Sequence, residues 1–179
     1  SANKLTLLPK LPNSVRELDC SCNKLKVLPE LPNSLITLKC YAVQLSVLPD
    51  LPNSLEELNC GTNQLILLPK LASSLKIVYC NFNQLTLLPE LPTNLRILHC
   101  FNNQLTYLPK LPKLIEAYYY DGNPVYDYIK NKCYGKLEIY YKENQTFANK
   151  IGDWFLECKY DPKYKYCRDR VDKEYDKLF

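Results

Sequence analysis

The chain superimposes on itself at a shift of twenty residues, and this constrains its fold more than any other feature. A short fixed period means that each unit is one small supersecondary element. No unit can bury an apolar face alone, so the units must stack. Each unit reads L-x-x-L-x-C-x-x-N-x-L-x-x-L-P-x-L-P-x-x. The unit positions start at Val15, Leu18, Cys20, Asn23 and Leu25, then Leu35, Leu38, Cys40, Val43 and Leu45. Leu55, Leu58, Cys60, Asn63 and Leu65 follow, then Leu75, Val78, Cys80, Asn83 and Leu85. Leu95, Leu98, Cys100, Asn103 and Leu105 come next, and Ile115, Tyr118, Tyr120, Asn123 and Val125 close the series. The alternation Leu-x-Cys turns Leu and Cys to one face of a short strand and the residues beside them to the other. Leu-Pro-x-Leu-Pro cannot lie inside a helix, because proline has no N–H and restricts the residue before it. It suits polyproline II, whose backbone needs no ladder bonds.

This motif, with about eight positions recurring in each of six units, resembles the leucine-rich repeat family in its shortest, LPX form, as in the repeat regions of bacterial type III effectors. The resemblance covers residues 3 to about 125. It implies a leucine-rich repeat solenoid, with parallel β strands on the concave side, an extended polyproline II convex side and an α-helical C-terminal cap. Residues 1–125 form the expected solenoid, with one partial and six strand-bearing repeats of period 20. Residues 126–179 form the expected capping segment, mainly helical. Repeat residues begin at Asn3 and the chain has no methionine, which reads as a fragment or a trimmed chain.

A thiol recurs every twenty residues, at Cys20, Cys40, Cys60, Cys80 and Cys100. Zinc needs four ligands converging on a tetrahedron, whereas these thiols form a line. Disulfides between rungs are disfavoured, since in-register side chains sit about 4.8 Å apart and a bridge wants Cβ atoms about 3.8 Å apart. Catalysis needs an exposed, activated thiolate. Free cysteine packs as a small hydrophobe, so the ladder is read as packing and no metal or cofactor is implied. The nine cysteines are odd in number and include no C-x-x-C pair, which favours a reducing, cytoplasmic compartment over an oxidised secreted scaffold. The recurring asparagines are read as satisfying backbone groups where each strand bends into its loop. Val43 breaks that series, so the turn of its repeat should be less well bonded.

Function in a solenoid falls to the positions that vary. Beside the inward residues, the concave face carries Glu17, Asp19, Ser21, Thr37, Lys39, Tyr41, Glu57, Asn59 and Gly61 over the first three repeats. Over the last three it turns apolar and aromatic. Ile77, Tyr79, Ile97, His99, Phe101 and Tyr119 should form one contiguous partner-binding patch, because equivalent positions stack on consecutive rungs. The chain's one histidine is read as a contact at the rim of that patch. The alternative is that the C-terminal segment folds over the patch. A second stripe, Val27, Val47, Leu67, Leu87 and Tyr107, precedes each Leu-Pro. A second core layer is the expected use of it; facing outward, it would make a convex ridge suited to self-association.

Beyond Pro124 the period is lost, and Lys136–Tyr141 has a strand-like composition. Phe147, Ile151, Trp154, Phe155 and Cys158, then Tyr164, Cys167, Val171, Tyr175 and Leu178, fall at helical spacing and suggest a helical hairpin over the end of the stack. Ile151, Trp154, Pro162, Tyr164, Cys167, Arg170, Val171, Glu174 and Tyr175 also match a tail that resembles one found in many proteins of giant DNA viruses. That resemblance implies a viral protein acting in host cytoplasm. Cys167-Arg168-Asp169 fits the C-x-D motif of the ubiquitin-ligase domain in some bacterial LPX proteins, although only twelve residues follow Cys167.

The net charge is +4 and the two signs are interspersed, which gives no reason to expect a nucleic-acid or membrane-surface partner. The leading expectation is therefore a non-enzymatic module that binds a host or viral protein through its concave face, as a monomer or with weak self-association. A self-assembling structural component and a remnant of a cysteine ubiquitin-ligase effector are the alternatives.

Overall fold

The computed structural model describes residues 4–133 and 136–142. Six three-residue strands follow one another: β1 (Glu17–Asp19), β2 (Thr37–Lys39), β3 (Glu57–Asn59), β4 (Ile77–Tyr79), β5 (Ile97–His99) and β6 (Ala117–Tyr119). They form one parallel sheet in chain order, and every residue pairs with the one twenty positions on, as in Leu38 with Leu58. Helix α1 (Pro124–Lys132) follows, then a short helix α2 at residues 137–142. The chain divides into two compact units, Ser1–Tyr128 and Ile129–Phe179, and the repeats lie in the first.

The core is the repeat pattern made solid. Leu38, Leu58, Val78 and Leu98 are fully buried beneath the strands, and so are Leu25, Leu45, Leu65, Leu85 and Leu105 where the chain leaves them. Each such side chain contributes about 1.5–3 kcal/mol of burial. Leu28, Leu48, Leu68 and Leu108, each just before a proline, form the floor with Leu31, Leu71 and Leu91. The backbone ladder outlasts the three strand residues. The N–H of Cys60 donates to the Tyr79 carbonyl at 2.8 Å, and that of Thr62 to the Asn81 carbonyl at 2.8 Å. A turn then closes before each strand, with the Pro32 carbonyl accepting from Leu35 N–H at 3.0 Å. Serines lace these turns together. Ser34 Oγ donates to the Val15 carbonyl at 2.6 Å, Ser54 to Leu35 at 2.6 Å and Ser74 to Leu55 at 2.7 Å.

The asparagines do what their chemistry allows. Asn83 Oδ1 accepts from Leu65 N–H at 3.0 Å, while its Nδ2 donates to the Cys60 and Cys80 carbonyls at 3.0 and 3.1 Å. Asn103 and Asn123 repeat this on Leu85 and Leu105. The gap left by Val43 falls one repeat earlier than the sequence suggests. The N–H of Val43 itself bonds to Asn63 Oδ1 at 3.2 Å, but Leu25 N–H lacks the amide that Leu45 receives at 2.9 Å. Gln44 is also driven to a positive φ of 74°, which no other glutamine of the series shows. Val43→Asn should therefore raise stability by about 1 kcal/mol, the worth of a typical added hydrogen bond, read as the urea midpoint at unchanged slope. A lower midpoint would show that burying Val43 outweighs the bonds.

Cys20, Cys40, Cys60, Cys80 and Cys100 are free and buried. Desolvation pushes the Cys60 and Cys100 thiols up to about 12 and Cys20 to about 11, and holds Cys40 and Cys80 well above the ordinary value. None carries appreciable thiolate at neutral pH. A thiol reagent applied to the native protein should leave these five unmodified until denaturant is added, whereas labelling at the rate of an exposed cysteine would contradict the burial. In the last unit Tyr120 replaces the cysteine and stacks on Tyr118 at 4.9 Å, with Tyr126 edge-on at 5.6 Å. Asn123 and Pro124 then start α1, proline being suited to a first helical position.

Two expectations are overturned. Val27, Val47, Leu67, Leu87 and Tyr107 are not a second core layer: they are 46–58% exposed. In an extended Val-Leu-Pro only one of two neighbouring side chains can face inward, and the leucine takes that place. Residues 137–141 of the strand-like stretch are helical, with Tyr140 N–H donating to the Lys136 carbonyl at 3.3 Å. Strand composition reports fit to a pleated surface, so without a sheet neighbour it decides little. In this second unit Ile129, Cys133 and Tyr140 are buried. The expected hairpin of Phe147 to Leu178, the virus-like tail and the Cys167-Arg168-Asp169 triplet lie outside the described residues.

Candidate functional site

The strand register places the variable side chains in rows. Tyr79 pairs with His99 and His99 with Tyr119, so three rings follow one another across β4, β5 and β6. Their centroids are 4.8 and 4.7 Å apart, and both contacts are edge-to-face, the geometry that aromatic quadrupoles favour. Phe101 adds a fourth ring 6.3 Å from His99. Ile77 and Ile97 pair alongside and are half-buried, as are Tyr79, His99 and Phe101, while Tyr119 is exposed. All six residues singled out in the sequence thus lie on one surface. Ile77 and Ile97 form its lower row and the rings its upper one.

Burial lowers the pKa of His99, so at neutral pH its ring is the uncharged form. The unfolded chain binds a proton on this side chain more readily. Stability from the packing is therefore fully present above the ordinary imidazole value and is lost as pH falls from there through the lower folded value.

The first three repeats differ in charge. Glu17, Asp19 and Glu57 face the same surface with one cation, Lys39, whose Nζ lies 3.7 Å from Glu57 Oε1. Asp19 Oδ1 accepts from Ser21 N–H at 3.0 Å, and this bond lowers the pKa of its carboxyl. Between the acidic and aromatic halves is a hollow of about 260 Å³ lined by Tyr41, Asn59, Gly61, Thr62, Tyr79 and Asn81. It exists because Gly61 has no side chain where the other repeats carry Ser21, Tyr41, Asn81, Phe101 and Asp121.

One residue of this surface is missing from the sequence-based patch. Phe82 is 50% exposed and sits edge-on to Phe101, with centroids 5.2 Å apart. Aligning the units would have shown it, since its counterparts are Cys22, Ala42, Thr62, Asn102 and Gly122. Among the described residues no group of three or more His, Cys, Asp or Glu side chains is placed to hold a metal ion, and no helix is long and apolar enough to cross a membrane.

No protein-family profile and no curated protein sequence matches the chain. Solved structures do. YopM from Yersinia enterocolitica is 38% identical over 69% of this chain and 28% of its own, with a TM-score of 0.68. A Shigella effector leucine-rich repeat domain is 39% identical over 67% of this chain and 55% of its own, with a TM-score of 0.64. YopM from Yersinia pestis, described as a leucine-rich effector protein, is 36% identical over 69% of this chain and 42% of its own, with a TM-score of 0.58. The chain therefore spans between about a quarter and just over half the length of these proteins. The fold is a leucine-rich repeat solenoid.

Proposed function

We propose that this leucine-rich repeat solenoid is a non-enzymatic interaction module that grips a protein partner with the C-terminal half of its concave face. One observation carries the reading: four rings, Tyr79, His99, Phe101 and Tyr119, run together on a surface where the fold itself needs no aromatic residue. A Tyr or Phe side chain can bury about 150–250 Å², and soluble monomers rarely expose apolar patches beyond a few hundred Å² without a use for them. The solved neighbours include proteins described as effectors, which supports a partner inside a host cell and action in its cytoplasm. The virus-like tail motif supports the same setting with a viral source. Affinity capture from host lysate with the chain and with a Tyr79→Ala/Phe101→Ala/Tyr119→Ala variant tests the reading. The partner should be retained by the first and lost by the second at unchanged melting temperature; equal capture would move the interface elsewhere.

A second reading rests on the exposed row Val27, Val47, Leu67, Leu87 and Tyr107, which supports self-assembly through the convex side. Under that reading sedimentation would show concentration-dependent association that Leu67→Ser abolishes. A monomer at every concentration would remove it.

A further inference from the structure

Phe82 occupies a backbone position that does not suit it. Its φ is 52°, in the left-handed region, where a bulky side chain is a genuine outlier. The same place in each repeat has positive φ, from Cys22 at 56° to Gly122 at 65°, so the fold imposes it. At Gly122 a Cβ would meet Asn102 Oδ1, so a side chain there would have to displace that amide. Asn102, at 53°, is a residue type that tolerates this conformation through its short polar side chain. Only the fourth repeat sets a large aromatic side chain there, and half of it remains in water. Folding does not explain that choice. The ring lies at the margin of the aromatic rows, against Phe101, and lengthens them toward the loop that follows β4.

The rest of the surface indicates what would cover it. Three carboxylates and one lysine line the concave strands of the first three repeats, although the whole chain carries a net charge of +4. The concave strands of these repeats thus hold a local excess of negative charge. Consecutive rungs are about 4.8 Å apart, so the step to the Phe82–Phe101 pair spans roughly 5–10 Å from Glu57 on β3 and roughly 14–19 Å from Glu17 and Asp19 on β1. One short peptide segment covers that distance.

We propose that Phe82 is a partner-contact anchor of the concave site, and that the surface fits a polypeptide segment bearing an apolar side chain for the Phe82–Phe101 pair and basic side chains for the Glu17, Asp19 and Glu57 region. This deepens the concave-face reading and rests on it. The strained backbone is maintained because the exposed ring contributes contact area where the partner lies.

A displayed library of random twelve-residue peptides, selected on the whole chain, supplies the probe. Enriched peptides should combine an aromatic or large aliphatic residue with Arg or Lys. Their binding to Phe82→Asn, which copies the residue of the next repeat, should fall at least tenfold while its melting temperature stays level or rises. A lowered melting temperature with unchanged binding would make Phe82 a packing residue and overturn the proposal. Loss of binding to Tyr79→Ala and Phe101→Ala but not to Phe82→Asn would overturn the anchor while keeping the concave site. Enriched peptides indifferent to all three variants would remove the concave site as well. Enrichment of acidic peptides, or of none, would overturn the partner chemistry.

Discussion

Asn103→Ala is expected to lower unfolding free energy by about 2–3 kcal/mol, a large effect for a polar substitution among the described residues. The side chain is buried, its Oδ1 satisfies Leu85 N–H at 3.0 Å, and its Nδ2 serves the Cys80 and Cys100 carbonyls at 3.0 Å each. Alanine orphans the Leu85 N–H and takes one of two amide donors from each carbonyl, which keep Asn83 and Asn123, and a buried unsatisfied group costs about 1–3 kcal/mol. Urea unfolding monitored by circular dichroism reads the difference. Gln104→Ala supplies the control, since its side chain is exposed and exposed substitutions stay within about 0.5 kcal/mol. Similar midpoints for the two variants would mean that the amide ladder is incidental to stability.

The second large effect concerns the partner. Alanine at Tyr79, Phe101 or Tyr119 should each weaken binding by about 1–3 kcal/mol with the fold intact, as expected of aromatic anchors near the centre of an interface. Alanine at Glu17 or Glu57 should chiefly slow association and flatten its salt dependence, because rim charges steer more than they hold. The losses should therefore be asymmetric along the stack. They should also be non-additive among the rings, since Tyr79, His99 and Tyr119 touch one another in series. Equal losses from Glu57→Ala and Phe101→Ala would leave no reason to separate the two halves of the face.

Much of this structure is legible from one twenty-residue unit. Period-2 alternation in Leu-x-Cys forces the inward row, and Leu-Pro-x-Leu-Pro forces an extended return, so strand, core and register follow once stacking is recognised. The concave rows were equally readable, because an in-register parallel sheet turns positions twenty apart into neighbours. What escaped depended on geometry that one unit does not state. Whether Val27 or Leu28 faces inward is ambiguous in a chain that is apolar at both positions, and only the packed floor resolves it. Ser34, Ser54 and Ser74 recur at the same period as the cysteines, yet the carbonyls they reach become visible only when the repeats are set side by side. The left-handed turn at Phe82 is hidden because a different residue type fills the same place in every repeat. The strand-like composition at residues 136–141 misled because a strand needs a neighbour and a helix does not.

The missing amide at Leu25 has a mechanical consequence. In a column whose rungs touch only their neighbours, resistance to separation is set joint by joint, not by the whole. Every joint from Leu45 to Leu105 is pinned by a side-chain amide, and the joint between the first two strand-bearing repeats is not. Tension applied at the N-terminus would reach this seam early, peel the first rung away and meet a stiffer stack behind it. The aromatic rows lie beyond that seam, so the gripping surface would stay assembled while the leading rung comes loose.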